Sequence, residues 1–276
     1  MNLLFSIDDR FVNQLATVLT SIAENTNAED FQVYVIADHP LEASAQLAAY
    51  CEQLKMTYHP VVIDQQDFAQ APITDRYPTT IYYRLLAYKY LPADLDRILY
   101  LDADVLCIND LQSFYQMDLS HHLYASAIHT ALSNTTDVIN KIRLQNFDAD
   151  GYYNSGVLLM NLELIRQRVK EKDIFNYIEE NRLVLLLPDQ DVLNALYGDQ
   201  IKSVPDELYN FDARKGRTYE TISFGECTLD WVMKHTVILH YCGRDKPWLP
   251  NKNTGRYTAL YKHYYNLTLR RLASLQ

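Results

Sequence analysis

The segments NLLFSI (residues 2–7), FQVYVIA (31–37) and TYHPVVI (57–63) are predicted as strands from their length and their share of apolar residues. Between the first two, apolar residues recur at helical spacing from Val12 to Ala23, and a second helix is predicted from Leu41 to Leu54. Strands that alternate with helices in this way pair in parallel. The beginning of the chain therefore predicts an α/β fold built on a parallel sheet.

The carboxyl end of the first strand is the predicted mouth of a binding site, because ligands of open α/β sheets bind at that edge. The residues there are Ser6 to Arg10. The elements predicted downstream are a helix from Thr79 or Thr80 to Tyr90, a strand from Arg97 to Leu101, an apolar run from Gly156 to Leu162, a charged helix from Glu163 to Asn181 and a late strand from Thr236 to His240. Because no repeat or low-complexity linker divides the chain, we predict one domain over residues 1–250 and a C-terminal segment over 251–276.

The composition excludes several classes of function. A net charge of −10 argues against nucleic-acid binding, which needs a basic surface. No glycine-rich phosphate loop follows the first strand, which argues against nucleotidyltransferases and dinucleotide oxidoreductases. The cysteines show no CxxC pairing, and neither a signal peptide nor a run of roughly 20 apolar residues is present. We therefore expect a cytoplasmic protein, with any membrane contact peripheral and at the inner face.

The sharpest local signal is Ile98-Leu99-Tyr100-Leu101-Asp102-Ala103-Asp104. An apolar strand here delivers two carboxylates two residues apart, and strand geometry points such residues to the same side. Two oxygen ligands at a strand's carboxyl end suit a hard divalent cation that bridges a diphosphate. The alternative is a pair of solvated aspartates in a turn.

A second signal lies far along the chain, in the run from His240 to Trp248. His240 ends an apolar strand, where its imidazole would be a third ligand, and mixed carboxylate and imidazole ligands favour manganese over magnesium. Lys246 follows on a loop with Gly243 and would neutralise a phosphate. The alternative is a buried histidine, satisfied by hydrogen bonds, beside a surface loop.

Together these residues resemble glycosyltransferase family 8, which includes bacterial galactosyl- and glucosyltransferases and the glycogenins. The resemblance covers about residues 2 to 248 and rests on separated motifs that occur in the family's order. The motifs are Phe5-Ser6-Ile7-Asp8-Asp9, Tyr82-Tyr83-Arg84-Leu85, Leu101-Asp102-Ala103-Asp104, Asn154-Ser155-Gly156-Val157, Asp189-Gln190-Asp191, His240-Tyr241-Cys242-Gly243 and Lys246-Pro247-Trp248. The resemblance implies a GT-A fold, a single Rossmann-like nucleotide-sugar-binding domain with a mixed, mostly parallel central sheet.

The same resemblance implies a UDP-sugar donor, a Mn²⁺ cofactor and retention of the α-anomeric configuration. Mg²⁺ is the alternative metal. The resemblance assigns the metal to Asp102, Asp104 and His240. It assigns the donor to a larger set of residues: Ile7, Asp8, Arg84, Asp102, Ala103, Asn154, Asp189, Asp191, Gly243 and Lys246. Within that set Asp8 matches the acid that holds uracil, and Arg84 matches the arginine that contacts the donor sugar.

The resemblance makes Gln190, Asp189 and Arg84 the catalytic candidates. Gln190 matches the residue near the anomeric carbon, on the face opposite the leaving group. A neutral amide is a poor nucleophile, so we favour attack by the acceptor on the face that UDP leaves. A double displacement through Asp189 or Asp191 is the alternative. On local physics alone, Asp189 caps a helix and Asp191 is a favourable charge in its first turn.

Two residues depart from the family pattern, and a third keeps an aromatic ring near the nucleotide. Arg10 stands where a small polar residue often follows the first acidic pair, and His129 stands where some relatives carry an acid that touches the acceptor. Phe11 stands where an aromatic ring stacks on uracil. These departures leave the acceptor open: a cell-surface glycan, a lipid-linked glycan or a glycoprotein. A non-catalytic nucleotide-sugar or carbohydrate-binding module is the alternative to an enzyme.

The C-terminal segment is basic and aromatic, since no Asp or Glu follows Asp245. Its charges and rings would seat the protein on an anionic membrane surface. The alternative is a final helix packed on the domain, with its apolar side chains turned inward. Those side chains are Tyr257, Leu260, Tyr261 and Tyr264.

Overall fold

The computed structural model describes residues 1–68, 82–128, 143–144, 150–181, 183–250 and 255–275. Its strands are β1 (Asn2–Ser6), β2 (Phe31–Ala37), β3 (Met56–Val62), β4 (Arg97–Leu101), β5 (Val105–Cys107), β6 (Tyr124–Ala127), β7 (Val157–Asn161), β8 (Ile201–Val204), β9 (Phe211–Asp212) and β10 (Ile238–His240). Its helices are α1 (Val12–Asn25), α2 (Ser44–Gln53), α3 (Tyr83–Leu86), α4 (Gln112–Tyr115), α5 (Leu162–Arg168), α6 (Glu171–Asn181), α7 (Pro188–Tyr197), α8 (Asp206–Tyr209), α9 (Gly216–Ile222), α10 (Leu229–His235) and α11 (Thr258–Ala273).

The central sheet has the strand order β3-β2-β1-β4-β7-β6-β8. The pairs β2–β3, β1–β2, β1–β4 and β6–β8 are parallel. Strand β7 runs antiparallel to both β4 and β6. The predicted α/β class is therefore confirmed, as is a mixed, mostly parallel central sheet.

Two antiparallel ladders position the polar residues at the carboxyl edge of the sheet. In the β4–β7 ladder Leu101 lies opposite Val157, and the N–H of Asp102 donates to the carbonyl of Gly156 at 2.8 Å. The other ladder belongs to a smaller sheet of order β5-β10-β9, in which His240 lies opposite Val105. Because Val105 directly follows Asp104, this pairing carries the histidine to the aspartates.

The sheet is buried on both faces, as the apolar runs predict. One face packs against α1, whose Leu15, Leu19 and Ile22 are fully buried. The other face carries Leu4 and Tyr100 into a second core cluster. Each fully buried side chain of this kind contributes about 1.5–3 kcal/mol to the free energy of unfolding.

The charged helix predicted from Glu163 to Asn181 is wrong, because the structure breaks it into α5 and α6. Val169 is extended at the break (φ −82°, ψ 122°) and only 4% exposed, so its burial in the core stabilises the interruption. The apolar run predicted from Gly156 to Leu162 forms strand β7, which ends one residue earlier, at Asn161. The side chain of Asn161 accepts from the N–H of Leu164 at 3.1 Å and caps α5.

The helix predicted to begin at Thr79 or Thr80 starts outside the described residues. Its described portion is α3, followed by a single 3₁₀ turn over Ala87–Lys89. The late strand is shorter than predicted, because Thr236 and Val237 precede β10.

The C-terminal helix α11 packs on α1. The hydroxyls of Thr20 and Thr268 lie 2.7 Å apart, and Asn25 Nδ2 donates to Tyr264 Oη at 2.7 Å. Tyr257 and Tyr261, which belong to this C-terminal segment, are buried in a third core cluster of the domain. The structure thus shows the packed alternative for the inward-facing residues, while membrane contact stays a prediction. Among the described residues, no helix combines the length and apolar character needed to cross a bilayer.

Candidate active site

Three side chains converge at the edge of the sheet. One oxygen each from Asp102 and Asp104 and one ring nitrogen of His240 lie within 4.8 Å of one another. Asp104 Oδ1 is buried and lies 3.1 Å from His240 Nε2, yet the geometry is not that of a hydrogen bond. Two ligand atoms that face each other without bonding fit a shared divalent cation, and oxygen with imidazole is a suitable ligand set.

The imidazole of His240 is held from its other side. Its Nδ1 lies 2.8 Å from Asn210 Oδ1, and the ring is nearly fully buried. When His240 binds a metal, a hydrogen bond from Nδ1–H to Asn210 leaves its Nε2 lone pair for the cation. Without a metal, burial would lower the pKa of His240, but Cys242 and Asp104 raise it above its usual value, so the ring stays cationic beside Asp104. Asn210 also donates from Nδ2 to Asn154 Oδ1 at 2.9 Å, so one amide links the histidine to the sugar-binding candidates.

The carboxylate of Asp104 keeps its negative charge despite its burial. Burial alone would raise its pKa, but the neighbouring His240 and Lys246 outweigh that effect and hold the pKa below its usual value. The Lys246 ammonium donates both to Asp104 Oδ2 and to the carbonyl of Tyr241, the latter at 2.8 Å. Lys246 therefore lies directly beside the predicted metal ligands.

Arg84 connects the first aspartate to the Asp189-Gln190-Asp191 turn. Its guanidinium is buried, lies 3.1 Å from Asp102 Oδ1 and 3.3 Å from Asp189 Oδ2, and donates to the carbonyl of Ser155 at 2.8 Å. Burial would lower its pKa, but the negative charges of Asp102 and Asp189 raise it, so the group stays cationic. A planar fork with several donors suits this bridging position, and lysine would not replace it.

The amide of Gln190 lies against the Asn154-Ser155 turn. Its Oε1 accepts from Asn154 Nδ2 at 3.2 Å and from the N–H of Ser155 at 3.3 Å. The hydroxyl of Ser155 donates to Asp189 Oδ2 at 2.8 Å. All four residues thus lie together, within one network that reaches Arg84, although nothing in the network tests a catalytic role.

Asp191 occupies a different environment from its neighbour. It is fully buried, and Arg143 pairs with it through two contacts of 2.7 and 2.8 Å. Tyr152 Oη and the N–H groups of Leu186 and Leu187 donate to the same carboxylate. In this structure the Asp191 carboxylate therefore anchors the neighbouring backbone and the side chains of Arg143 and Tyr152. Its contact with the donor sugar stays a prediction.

The predicted nucleotide end lies where β1 ends. Ile7 is buried, and its N–H donates to the carbonyl of Ile36 at 3.2 Å. Asp8 accepts from the guanidinium of Arg10, with the nearest contact at 2.6 Å. Arg10 is 78% exposed, so this pair is screened by water and opens at small cost. Ala103 is nearly buried between the two predicted ligands.

A second cation lies beside the predicted diphosphate loop. Gly243 has φ +84°, and a Cβ there would collide with the guanidinium of Arg214. Arg214 pairs with the buried Asp212 at 2.7 Å, and its side chain is 43% exposed. Gly243, Lys246 and Arg214 therefore share one rim of the site.

Asn210 and Arg214 are residues of the site that the sequence patterns do not single out. The only local signal for Asn210 and Arg214 is the run Asn210-Phe211-Asp212-Ala213-Arg214, in which polar residues alternate with apolar ones. Such alternation predicts a short strand, and β9 occupies part of it. His129 lies outside the described residues.

Comparisons with known proteins identify the family and the fold of the chain. The family model described as Glycosyl transferase family 8 matches residues 2–252. A lipopolysaccharide 1,2-glucosyltransferase of Escherichia coli is 31% identical over 275 residues, which is 97% of this chain and 78% of the relative. A lipopolysaccharide 1,3-galactosyltransferase of Salmonella typhimurium (strain LT2) is 23% identical over 251 residues, 90% of this chain and 72% of the relative.

Among solved structures, the galactosyltransferase LgtC in complex with donor and acceptor sugar analogues matches with a TM-score of 0.79. The match has 23% identity and covers 97% of this chain and 96% of LgtC, which shows the fold. The predicted GT-A fold is therefore confirmed. With the family model spanning most of the chain and the E. coli relative above 30% identity, the chain belongs to glycosyltransferase family 8.

Proposed function

We propose that the chain is a manganese-dependent, retaining hexosyltransferase that moves glucose or galactose from a UDP-sugar to an acceptor hydroxyl. The observation that carries the proposal is the convergence of Asp102, Asp104 and His240 beside Lys246, at the edge where α/β sheets bind nucleotides. The catalytic unit would be residues 1–250. The acceptor would be a surface glycan, a lipid-linked glycan or a glycoprotein.

The metal would be held by Asp102, Asp104 and His240. Their donor atoms fit a divalent cation, and the buried Asp104 Oδ1 has no hydrogen bond to lose. When bound, the metal supplies charge stabilisation to the departing diphosphate. Manganese suits the mixture of carboxylate and imidazole better than magnesium does.

Residues of the chain itself would supply the remaining stabilisation. The bond between the anomeric carbon and UDP breaks as negative charge builds on the diphosphate, and the Lys246 ammonium lies on that rim. The acceptor hydroxyl then forms the new bond on the vacated face, and a phosphate oxygen takes its proton. Asp189 is a weak candidate for a nucleophile here, because Arg84 and Ser155 Oγ already engage its carboxylate.

The names of the relatives support a hexose donor, since the E. coli protein is called a glucosyltransferase and the Salmonella protein a galactosyltransferase. Both names refer to lipopolysaccharide. A cytoplasmic position, where UDP-sugars are made, fits this proposal.

UDP release from UDP-glucose, UDP-galactose and UDP-N-acetylglucosamine, with Mn²⁺ and with chelator, tests the proposal. We expect metal-dependent release from one hexose donor. Binding of UDP without turnover, across donors and glycan acceptors, would instead identify a non-catalytic binding module.

A further inference from the structure

An apolar surface lies directly before the Asp189-Gln190-Asp191 turn. We call residues 183–187, with the sequence Leu-Val-Leu-Leu-Leu, the leucine loop. Leu183 is 93% exposed and Leu186 is 59% exposed, and Val184 and Leu187 are also exposed. Leu185 alone packs against the core. Contiguous exposed apolar side chains of this kind mark an interaction site.

The backbone of the leucine loop is held in place. The N–H groups of Leu186 and Leu187 donate to Asp191 Oδ2 at 2.6 and 3.1 Å. Arg143 Nη1 donates to the carbonyl of Val184 at 3.0 Å and also to Asp191. Because the backbone polar groups are tied to a buried ion pair, the leucine side chains are presented outward by a fixed scaffold.

The leucine loop adjoins the proposed sugar site. Leu187 is followed by Pro188 and then by Asp189, whose carboxylate accepts from Ser155 Oγ and pairs with Arg84. Arg84 in turn pairs with Asp102. Leu187, the nearest exposed leucine, is therefore two residues from Asp189 along the chain.

The charges around the leucine loop decide between a bilayer and a single apolar chain. The last turn of α6 contains Glu179 and Glu180, both exposed, and Arg182 then adds one positive charge in the sequence before the loop. The local balance is negative, so an anionic bilayer surface would be repelled here and by the net charge of −10. A hydrocarbon chain carries no charge and meets no such repulsion.

We propose that the leucine loop binds a hydrocarbon chain that is covalently linked to the acceptor sugar. The acceptor of this enzyme is then an amphiphilic glycoside, with its sugar at the proposed active site and its chain on Leu183, Leu186 and Leu187. This inference rests on the proposed function, which it extends from the donor to the class of acceptor.

The test compares octyl and methyl glycosides of glucose, galactose and N-acetylglucosamine as acceptors, with the octyl compounds below their micelle concentration. We expect kcat/KM to be about tenfold higher for the octyl form of the accepted sugar, because the chain buries apolar surface on the loop. In Leu183→Gln/Leu186→Gln the ratio should fall to about two or less, with the rate on the methyl glycoside unchanged. Phe224→Gln is the matched control, because Phe224 is 98% exposed and lies in another segment.

Equal kcat/KM values for octyl and methyl glycosides, or an octyl preference that survives the double substitution, would overturn the inference. A second readout does not depend on turnover: the tryptophan fluorescence of the Leu183→Trp variant should shift to shorter wavelength with octyl glycoside and stay constant with methyl glycoside. The Phe224→Trp variant should show neither change. Absence of the shift in Leu183→Trp overturns the inference, whereas absence of UDP release from every donor overturns the proposed function, so the two failures are distinguishable.

Discussion

The carboxylate of Asp102 lies against Gly156 so closely that a Cβ on the glycine would stand 2.5 Å from Asp102 Oδ2. The same Cβ would stand 2.7 Å from His240 Cε1. Gly156 is therefore a spatial requirement of the proposed metal site, since any side chain there would push two of the three ligands apart.

Gly156→Ala should weaken Mn²⁺ binding about 10- to 100-fold, the range expected when the support of metal ligands is disturbed. Isothermal titration with Mn²⁺ measures this directly. Gly151→Ala is the control, because the three atoms nearest to its Cβ all belong to the side chain of Ile128. Unchanged Mn²⁺ affinity in Gly156→Ala would show that the metal does not lie between Asp102 and His240.

Asp104→Asn should reduce metal-dependent UDP release by at least about a hundredfold, because it removes an anionic ligand. Asp230→Asn, an exposed aspartate in the first turn of α10, should retain normal turnover. Thermal unfolding of both variants verifies that they are folded. Near-normal Mn²⁺-dependent release in Asp104→Asn would refute the ligand assignment.

Arg84→Lys should lower kcat by roughly a hundredfold or more while retaining the positive charge. A lysine cannot reach Asp102, Asp189 and the carbonyl of Ser155 at once, so the variant should also lose about 1–3 kcal/mol in the free energy of unfolding. Steady-state kinetics and urea unfolding measure the two effects. A stability loss with unchanged kcat would make Arg84 purely structural.

Arg214→Gln should raise the KM for the donor about three- to tenfold and leave kcat within about twofold, because a phosphate contact on the rim contributes mainly to binding. The glutamine amide can still donate to the buried Asp212. Arg217→Gln removes an exposed arginine from α9 and should leave KM unchanged. Identical KM values in both variants would place the diphosphate away from Gly243.

Arg10→Ala should lower the Kd for UDP by up to about fivefold, since it frees Asp8 from an exposed ion pair of about 0.2–1 kcal/mol. Titration calorimetry with UDP measures the change. Weaker binding in the variant would show instead that the guanidinium of Arg10 itself contacts the nucleotide.

The predictions that succeeded from the sequence concern regular patterns. The alternation of strands and helices over residues 2–63 is a local signal, and so is the apolar strand that ends just before Asp102. From its position at the end of an apolar strand, His240 could be either a third metal ligand or a buried histidine, and the family resemblance favoured the ligand. The physical cause of its approach to the aspartates is the pairing of β10 with β5, a strand of three residues that is too short to show a period.

Other features depend on contacts between distant parts of the chain. The break between α5 and α6 arises because Val169 is buried in the core, and no proline or glycine announces it. Asp191 looks like a favourable charge in the first turn of a helix, which it is. Its pairing with Arg143, 48 residues earlier, has no local signal.

The antiparallel β4–β7 ladder has a consequence for the whole enzyme. Asp102 leaves one strand at the point where Gly156 enters the next, so their meeting depends on the alignment of Leu101 with Val157. A slip of one residue would displace them by about 3.4 Å and reverse which side chains face the core. Buried leucines such as Leu159 therefore help to fix the strand register on which the geometry of the site depends. Substitutions among them would silence catalysis while every polar residue of the site remained in the sequence.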